Sequence, residues 1–139
     1  MKAFSNLLSD LILTSSRNRK LSLLEQYFSS TPDPDRGYAL AALTGSLNFK
    51  NIKSSFFKDL IKEKQDEHLF DLSYDYVGDL AETISLLWDQ EKSGNMPGLS
   101  SLFEDLKKCK NDELKNHIIN ILNISTPDQR WAFIKLFTG

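Results

Sequence analysis

Apolar residues recur three or four positions apart along almost the whole chain, and this spacing constrains the fold more than any other feature of the sequence. Phe4, Leu7, Leu8 and Leu11 form the first such series. A period of about 3.6 residues places these side chains on one face of an amphipathic helix. The β-rich residues 118–124 also fit this period better than the alternation of a strand. We therefore predict an all-α fold, a compact multi-helix orthogonal bundle of about nine short helices.

Each predicted helix has one apolar face that we expect to be buried. In the first two helices these faces comprise Phe4, Leu7, Leu8, Leu11 and Ile12, and then Leu21, Leu24, Tyr27 and Phe28. In later helices they comprise Phe56, Phe57, Leu60 and Ile61; Leu80, Ile84, Leu87 and Trp88; Leu99, Leu102, Phe103 and Leu106; and Leu114, Ile118, Ile121 and Leu122. The fourth helix has lysines on its far face, namely Lys53, Lys58, Lys62 and Lys64.

Prolines and capping residues divide the apolar series into helices. Asp33 is predicted to cap the third helix and Pro34 to occupy its first position, where proline's missing N–H costs nothing. Gly45 is predicted to end that helix. Residues 89–98 are the longest loop-like stretch, and we expect them to be mobile. Further caps are predicted at three helix starts: Asp66, Asp79 with Glu82, and Thr126 with Pro127 and Gln129.

The composition is that of one ordinary domain spanning residues 1–139. The chain is 40% hydrophobic and 26% charged, which is typical of a soluble domain. Its length of 139 residues is too short for two catalytic domains. No apolar run approaches the roughly 20 residues of a membrane helix, and no hydrophobic block follows Met1 as in a secretory signal. We therefore expect a cytoplasmic protein. Cys109 is the only cysteine, which excludes an intrachain disulfide and a multi-thiolate metal site.

The residues that support catalysis are few. His68 and His117 are the only histidines, and neither lies in a His-Glu-x-x-His motif. No glycine-rich phosphate loop of the usual kinds occurs. Asp71, Asp75 and Asp79 recur every four residues, and the first two share a helical face and could hold a hydrated magnesium ion, although a solvated acidic face is the favoured interpretation. The sequence therefore predicts no active site and no cofactor in this chain.

Charge is divided unevenly along the chain. Residues 1–64 carry 10 basic and 6 acidic side chains, whereas residues 65–139 carry 7 and 13. Such a field can steer a polyanion to one surface, although an uneven surface charge without function is the favoured interpretation of charge alone. Gly45, Gly78 and Gly139 lie where predicted helices begin or end, and the unpaired backbone N–H groups at a helix amino terminus can bind phosphate. The alternative is that these glycines only terminate helices.

Two longer strings carry a family resemblance. They are residues 31–45 (TPDPDRGYALAALTG) and residues 72–84 (LSYDYVGDLAETI), whose central piece is Gly78-Asp-Leu-Ala-Glu82. Together with the closing Lys135-Leu-Phe-Thr-Gly139, they resemble the amino-terminal DNA-binding domain of ATP-dependent DNA ligases of a bacterial subgroup. The resemblance covers nearly the whole chain.

The resemblance implies an all-helical domain that grips double-stranded nicked DNA through its backbone and minor groove, during DNA repair, replication or recombination. It also implies a parent enzyme that uses ATP and Mg²⁺, so that this chain is truncated before the adenylation and OB domains. The nucleotidyltransferase motif Lys-x-Asp-Gly is not present: Lys110-Asn111-Asp112 is its nearest match, and Glu113 follows it. The chain is therefore expected to bind DNA without sealing nicks on its own.

The predicted DNA contacts fall in three places: the basic loop region, a helix start and the carboxyl end. They are Arg36, Asn48, Lys50, Lys53, Gly78, Lys135, Thr138 and Gly139. We expect a monomer that is associated with the bacterial nucleoid and not with a membrane. The alternative is a helical protein–protein adaptor, the remnant of a truncated ligase gene, which the acidic carboxyl half favours. Salt dependence separates the two, since only phosphate binding must weaken steeply with salt.

Overall fold

Nine α-helices follow one another in the computed structural model, which describes residues 2–45, 49, 52–89 and 96–138. The predicted all-α fold is confirmed, since none of these described residues forms a strand. Part of the predicted mobile loop, residues 90–95, lies outside the described ranges. The helices are α1 (Lys2–Leu13), α2 (Arg17–Ser30), α3 (Asp35–Leu43), α4 (Ser54–Lys64), α5 (Glu67–Val77), α6 (Leu80–Leu87), α7 (Leu99–Lys108), α8 (Asn111–Ile124) and α9 (Pro127–Thr138).

Three of the predicted helix caps are confirmed. The Asp66 side chain accepts a hydrogen bond from the His68 N–H at the start of α5. Asp79 does the same for the Glu82 N–H at 3.0 Å in α6. At α9 the capping box is reciprocal: the Gln129 N–H donates to Thr126 Oγ1 at 3.4 Å, and the Thr126 N–H donates to Gln129 Oε1 at 3.2 Å. Local sequence therefore sets these three boundaries.

The predicted start of α3 is wrong by one residue. Pro34, not Asp33, is the N-cap residue, and no side chain caps this helix. The reason is that the carbonyl of Pro34 accepts the first hydrogen bond of the helix, from the Tyr38 N–H at 3.2 Å, which places the first helical position at Asp35. The predicted end is confirmed, because Gly45 follows the last turn with a φ of 74° that favours glycine.

The core forms where α6 and α9 pack together, with α1 against α9 and α5 against α6. The predicted apolar faces of α7 and α8 are confirmed as buried, and Leu102, Phe103, Ile118 and Leu122 are fully inaccessible. The faces of α1 and α2 are only partly buried. Ile12 is 65% exposed, although the helical period placed it with Phe4.

Arg130 is the largest side chain that is fully buried among the described residues. Its guanidinium donates to the carbonyls of Ser85 and Trp88 at the end of α6, at 2.7 and 2.5 Å. It also donates to Leu122 and Ser125 at the end of α8, at 3.1 and 2.9 Å. Carbonyls in the last turn of a helix have no intrahelical donor and carry the negative end of its dipole. One arginine of α9 therefore caps two other helices.

Asp35 connects α3 to α7. Its Oδ1 accepts the Ser100 N–H at 2.8 Å, at a helix start whose own N-cap residue, Gly98, has no side chain to offer. Burial raises the pKa of Asp35, but the hydrogen bonds from Ser100 and the Leu99 backbone outweigh this effect and leave the pKa below its ordinary value of 3.8. The carboxylate therefore serves as a cap that is distant in sequence.

We expect Asp35→Ala to lower the free energy of unfolding by about 1 kcal/mol near neutral pH, because the α7 N–H loses its acceptor. A lowered folded pKa means that the contribution is present above the unfolded value and is lost as the pH falls through the folded value. Urea unfolding at neutral and at acid pH checks this. The matched control is Asp33→Ala, an exposed carboxylate two residues away. Equal losses in both variants would contradict the assignment.

Candidate nucleic-acid interface

An aromatic cluster joins three helices and the connection between α3 and α4. The Phe103 ring of α7 stacks on Tyr38 of α3, with centroids 5.5 Å apart, and on Phe49 of the connection at 5.6 Å. Phe49 in turn contacts Phe137 of α9 edge-to-face at 5.3 Å. Residues far apart in sequence are thus held together in this cluster. Several of the predicted DNA-contact residues belong to the elements that meet there.

Lys53 and Thr138 belong to elements that meet beside this cluster. Lys53 is exposed and immediately precedes α4, where it is the N-cap residue. Phe57, one helical turn later, contacts Phe137 at a centroid distance of 6.1 Å. Thr138 follows Phe137 and donates its hydroxyl hydrogen to the Ile134 carbonyl at 3.0 Å. The start of α4 and the end of α9 are therefore neighbours.

Gly78 lies at the junction between α5 and α6. It ends α5 in a left-handed conformation with a φ of 82°, and its N–H donates to the Tyr74 carbonyl at 2.8 Å. A side chain at this position would meet no atom within 4 Å, so the backbone angle and not space favours glycine. The geometry accounts for Gly78 as a helix terminator, and its DNA contact stays a prediction.

Lys135 joins α9 to the start of α6. Its Nζ lies 2.6 Å from Asp79 Oδ1, and both side chains are largely buried, with 25% and 35% of their surface exposed. Asp79 therefore both caps α6 and pairs with Lys135. An ammonium group carries three N–H donors, so Lys135 keeps N–H donors that the single carboxylate of Asp79 does not use. Lys135 and Thr138 are three residues apart and share a face of α9.

Arg36 is exposed in the first turn of α3, and its Nε donates to the Thr31 carbonyl, in the turn that precedes this helix, at 2.8 Å. This hydrogen bond fixes the guanidinium close to the backbone of the turn. Asn48, Lys50 and Gly139 lie outside the described residues. The structure thus locates five of the predicted contact residues, Arg36, Lys53, Gly78, Lys135 and Thr138.

Lys107 is a cation beside the aromatic cluster, and sequence reasoning missed it. Its Nζ lies 5.4 Å from the centroid of the Tyr38 ring, close enough for a cation–π interaction. Lys107 and Lys108 both occupy the last turn of α7, where cations are favourable to the helix dipole. The approach of Lys107 to α3 could not be predicted from sequence, because the contact with Tyr38 joins residues that are distant along the chain.

The described residues contain neither a cluster of metal-ligating side chains nor a helix that could span a membrane. No three histidine, cysteine or acidic side chains in these ranges come together as a metal site. Asp79, the third member of the predicted acidic series, is used by the α6 cap and by Lys135. Over the same part of the chain, every helix is too short or too polar to cross a bilayer.

Comparison with known proteins identified no relative: no family model, curated protein or solved structure matches this chain.

Proposed function

We propose that this chain is the DNA-binding domain of an ATP-dependent DNA ligase and binds nicked duplex DNA without catalysing ligation. The proposal rests on the resemblance of residues 31–45 and 72–84 to that domain. The observation that carries it furthest is that Phe57, one helical turn after Lys53, contacts Phe137, which directly precedes Thr138 at the carboxyl end of α9. In this proposal the protein is a nucleoid-associated monomer of the bacterial cytoplasm.

The geometry supports binding to the phosphate backbone. Lys53 at the start of α4, Arg36 at the start of α3 and Lys107 beside Tyr38 supply cations around the aromatic cluster. Cations and helix starts bind phosphate irrespective of base sequence, so the domain would recognise the shape of the duplex. ATP and Mg²⁺ would be needed only by the catalytic domains of the parent enzyme.

The test is fluorescence anisotropy of a labelled nicked duplex, titrated with the protein at low and at moderate salt. We expect affinity to fall steeply with salt, since phosphate binding releases counterions. Arg36→Glu/Lys53→Glu should bind at least tenfold more weakly, and neutralising each phosphate contact should reduce the salt slope by about one. An intact duplex of the same sequence measures the preference for the nick.

The matched control is Arg17→Glu/Lys20→Glu, which makes the same charge change at exposed positions of α2 outside the predicted contacts. Binding that is retained in this control and lost in the first variant would support the proposed face. Equal loss in both variants would show only a general charge effect and would contradict it. Salt-insensitive binding, or none at low salt, would favour the adaptor alternative.

A further inference from the structure

A groove between α1, α6 and α9 is lined by large exposed apolar side chains. It has a volume of about 470 Å³. Ile12 and Leu13 of α1 are 65% and 84% exposed there, and Leu86 of α6 is 65% exposed. Trp131 of α9 also lines the groove. Burying these side chains would be favourable, because transferring apolar surface out of water stabilises a complex.

The groove continues across α6 towards α5. A second depression of about 300 Å³ shares Leu86 and is lined on its other side by Leu72 and Tyr76. Tyr76 is 92% exposed and Leu72 is 56% exposed. A run of apolar side chains therefore extends from α5 to α1. Extended apolar patches on folded domains mark interaction sites, whereas scattered exposed residues do not.

Acidic side chains border this apolar surface. Glu82 and Asp128 line the groove and are exposed. Asp71 and Asp75, adjacent in sequence to Leu72 and Tyr76, are also exposed. Lys135 lines the same groove, but its ammonium is paired with Asp79 at 2.6 Å. The border is therefore negatively charged and favours a cationic partner.

We propose that this groove binds a basic amphipathic helix from a protein partner. Apolar residues at i, i+3 or i+4 and i+7 would fill the groove, and flanking Lys or Arg side chains would pair with the acidic border. A second copy of this chain fits less well, because a two-fold interface would bring Glu82 and Asp128 towards the same carboxylates of the partner. DNA fits less well for the same reason. The inference does not depend on the proposed DNA-binding function.

The test uses a synthetic helix of about 18 residues, long enough to be helical, with leucines on one face and lysines and arginines beside them. Binding is followed by anisotropy of the labelled peptide and by the tryptophan fluorescence of a Trp88→Phe background, in which Trp131 of the groove is the remaining tryptophan. Ile12→Ser/Leu86→Ser should raise the Kd at least tenfold, as expected for apolar anchors. Glu82→Gln/Asp128→Asn should raise it about threefold at low salt.

The matched control is Leu21→Ser/Leu40→Ser, since both of these leucines are 54% exposed and neither lines the groove. Retained affinity in the control and loss in the groove variant would support the proposal. Absence of binding at about 100 μM peptide, equal loss in the control, or equal binding of a glutamate-substituted peptide would overturn it. A dimer in sedimentation that the groove variant dissociates would overturn it in favour of self-association.

Discussion

Replacing Arg130 by methionine is expected to remove a large part of the stability of the fold, with a loss of about 4 kcal/mol in the free energy of unfolding. The side chain is 1% exposed and donates to carbonyls of Ser85, Trp88, Leu122 and Ser125. Methionine fills similar space but donates no hydrogen bond, so four buried acceptors lose their donors. Each such group costs about 1–3 kcal/mol, and breaking a buried charged arrangement costs about 3–5 kcal/mol. Domains are stable by only about 5–15 kcal/mol.

Urea unfolding followed by far-ultraviolet circular dichroism measures this loss. Arg130→Lys should lie between the natural protein and the methionine variant, because an ammonium keeps the charge but cannot match the fork of the guanidinium. If the methionine variant does not fold, the lysine variant provides the measurement. Arg19→Met, at an exposed position of α2, is the control and should change stability by less than about 0.5 kcal/mol. Similar losses at Arg130 and Arg19 would contradict the proposed capping role.

The charge state of Arg130 follows from the same contacts. Burial lowers the pKa of the guanidinium from its ordinary value, and the negative charge of Asp89 opposes this effect. The carbonyls at the ends of α6 and α8 further favour the charged form, because helix carboxyl termini carry partial negative charge. The buried guanidinium of Arg130 therefore lies where its positive charge contacts the carboxyl ends of two helices.

Local features of this fold were predictable from sequence because their causes are local. The caps at Asp66, Asp79 and Thr126 depend on groups within three residues of one another. The apolar faces of α7 and α8 follow the helical period and are buried as predicted. In contrast, the start of α3 depends on which carbonyl accepts the first helical hydrogen bond. This carbonyl is that of Pro34, which the capping pattern does not specify.

Long-range features could not be predicted in the same way. Arg130 lies next to the capping box of α9, where an exposed charge would be the ordinary expectation, and its acceptors are 5 to 45 positions away. Ile12 and Leu86 are exposed because no helix in the described part of the chain covers that side of α1 and α6, although the period of α1 predicts that Ile12 is buried. At the candidate interface, Lys135 was predicted from sequence as a DNA contact, but its ion pair with Asp79 could not be predicted in this way. The DNA contacts themselves stay predictions.

Phe103→Ala is expected to destabilise the protein by about 4 kcal/mol. It is also expected to weaken the proposed DNA binding of the molecules that remain folded. The ring is fully buried and contacts Tyr38, Phe49 and Phe137, with centroid distances of 5.5, 5.6 and 6.2 Å. Truncating a buried phenylalanine typically costs about 3–5 kcal/mol, through lost burial and the cavity left behind. The cavity would also loosen the packing that holds α3, α7 and the end of α9 together, and with it the positions of Lys53 and Thr138.

Thermal unfolding measures the first effect, and the nicked-duplex titration measures the second at a temperature where the variant remains folded. Phe103→Leu should recover most of the stability, because it refills much of the cavity. Phe56→Ala is the matched control: this ring is only half-buried and contacts Phe57 edge-to-face at 5.5 Å, so its loss should be smaller. If folded Phe103→Ala binds DNA as tightly as Phe56→Ala, the aromatic cluster does not position the interface. Weaker binding by Phe103→Ala alone would show that the packing of the aromatic cluster contributes to the proposed DNA binding.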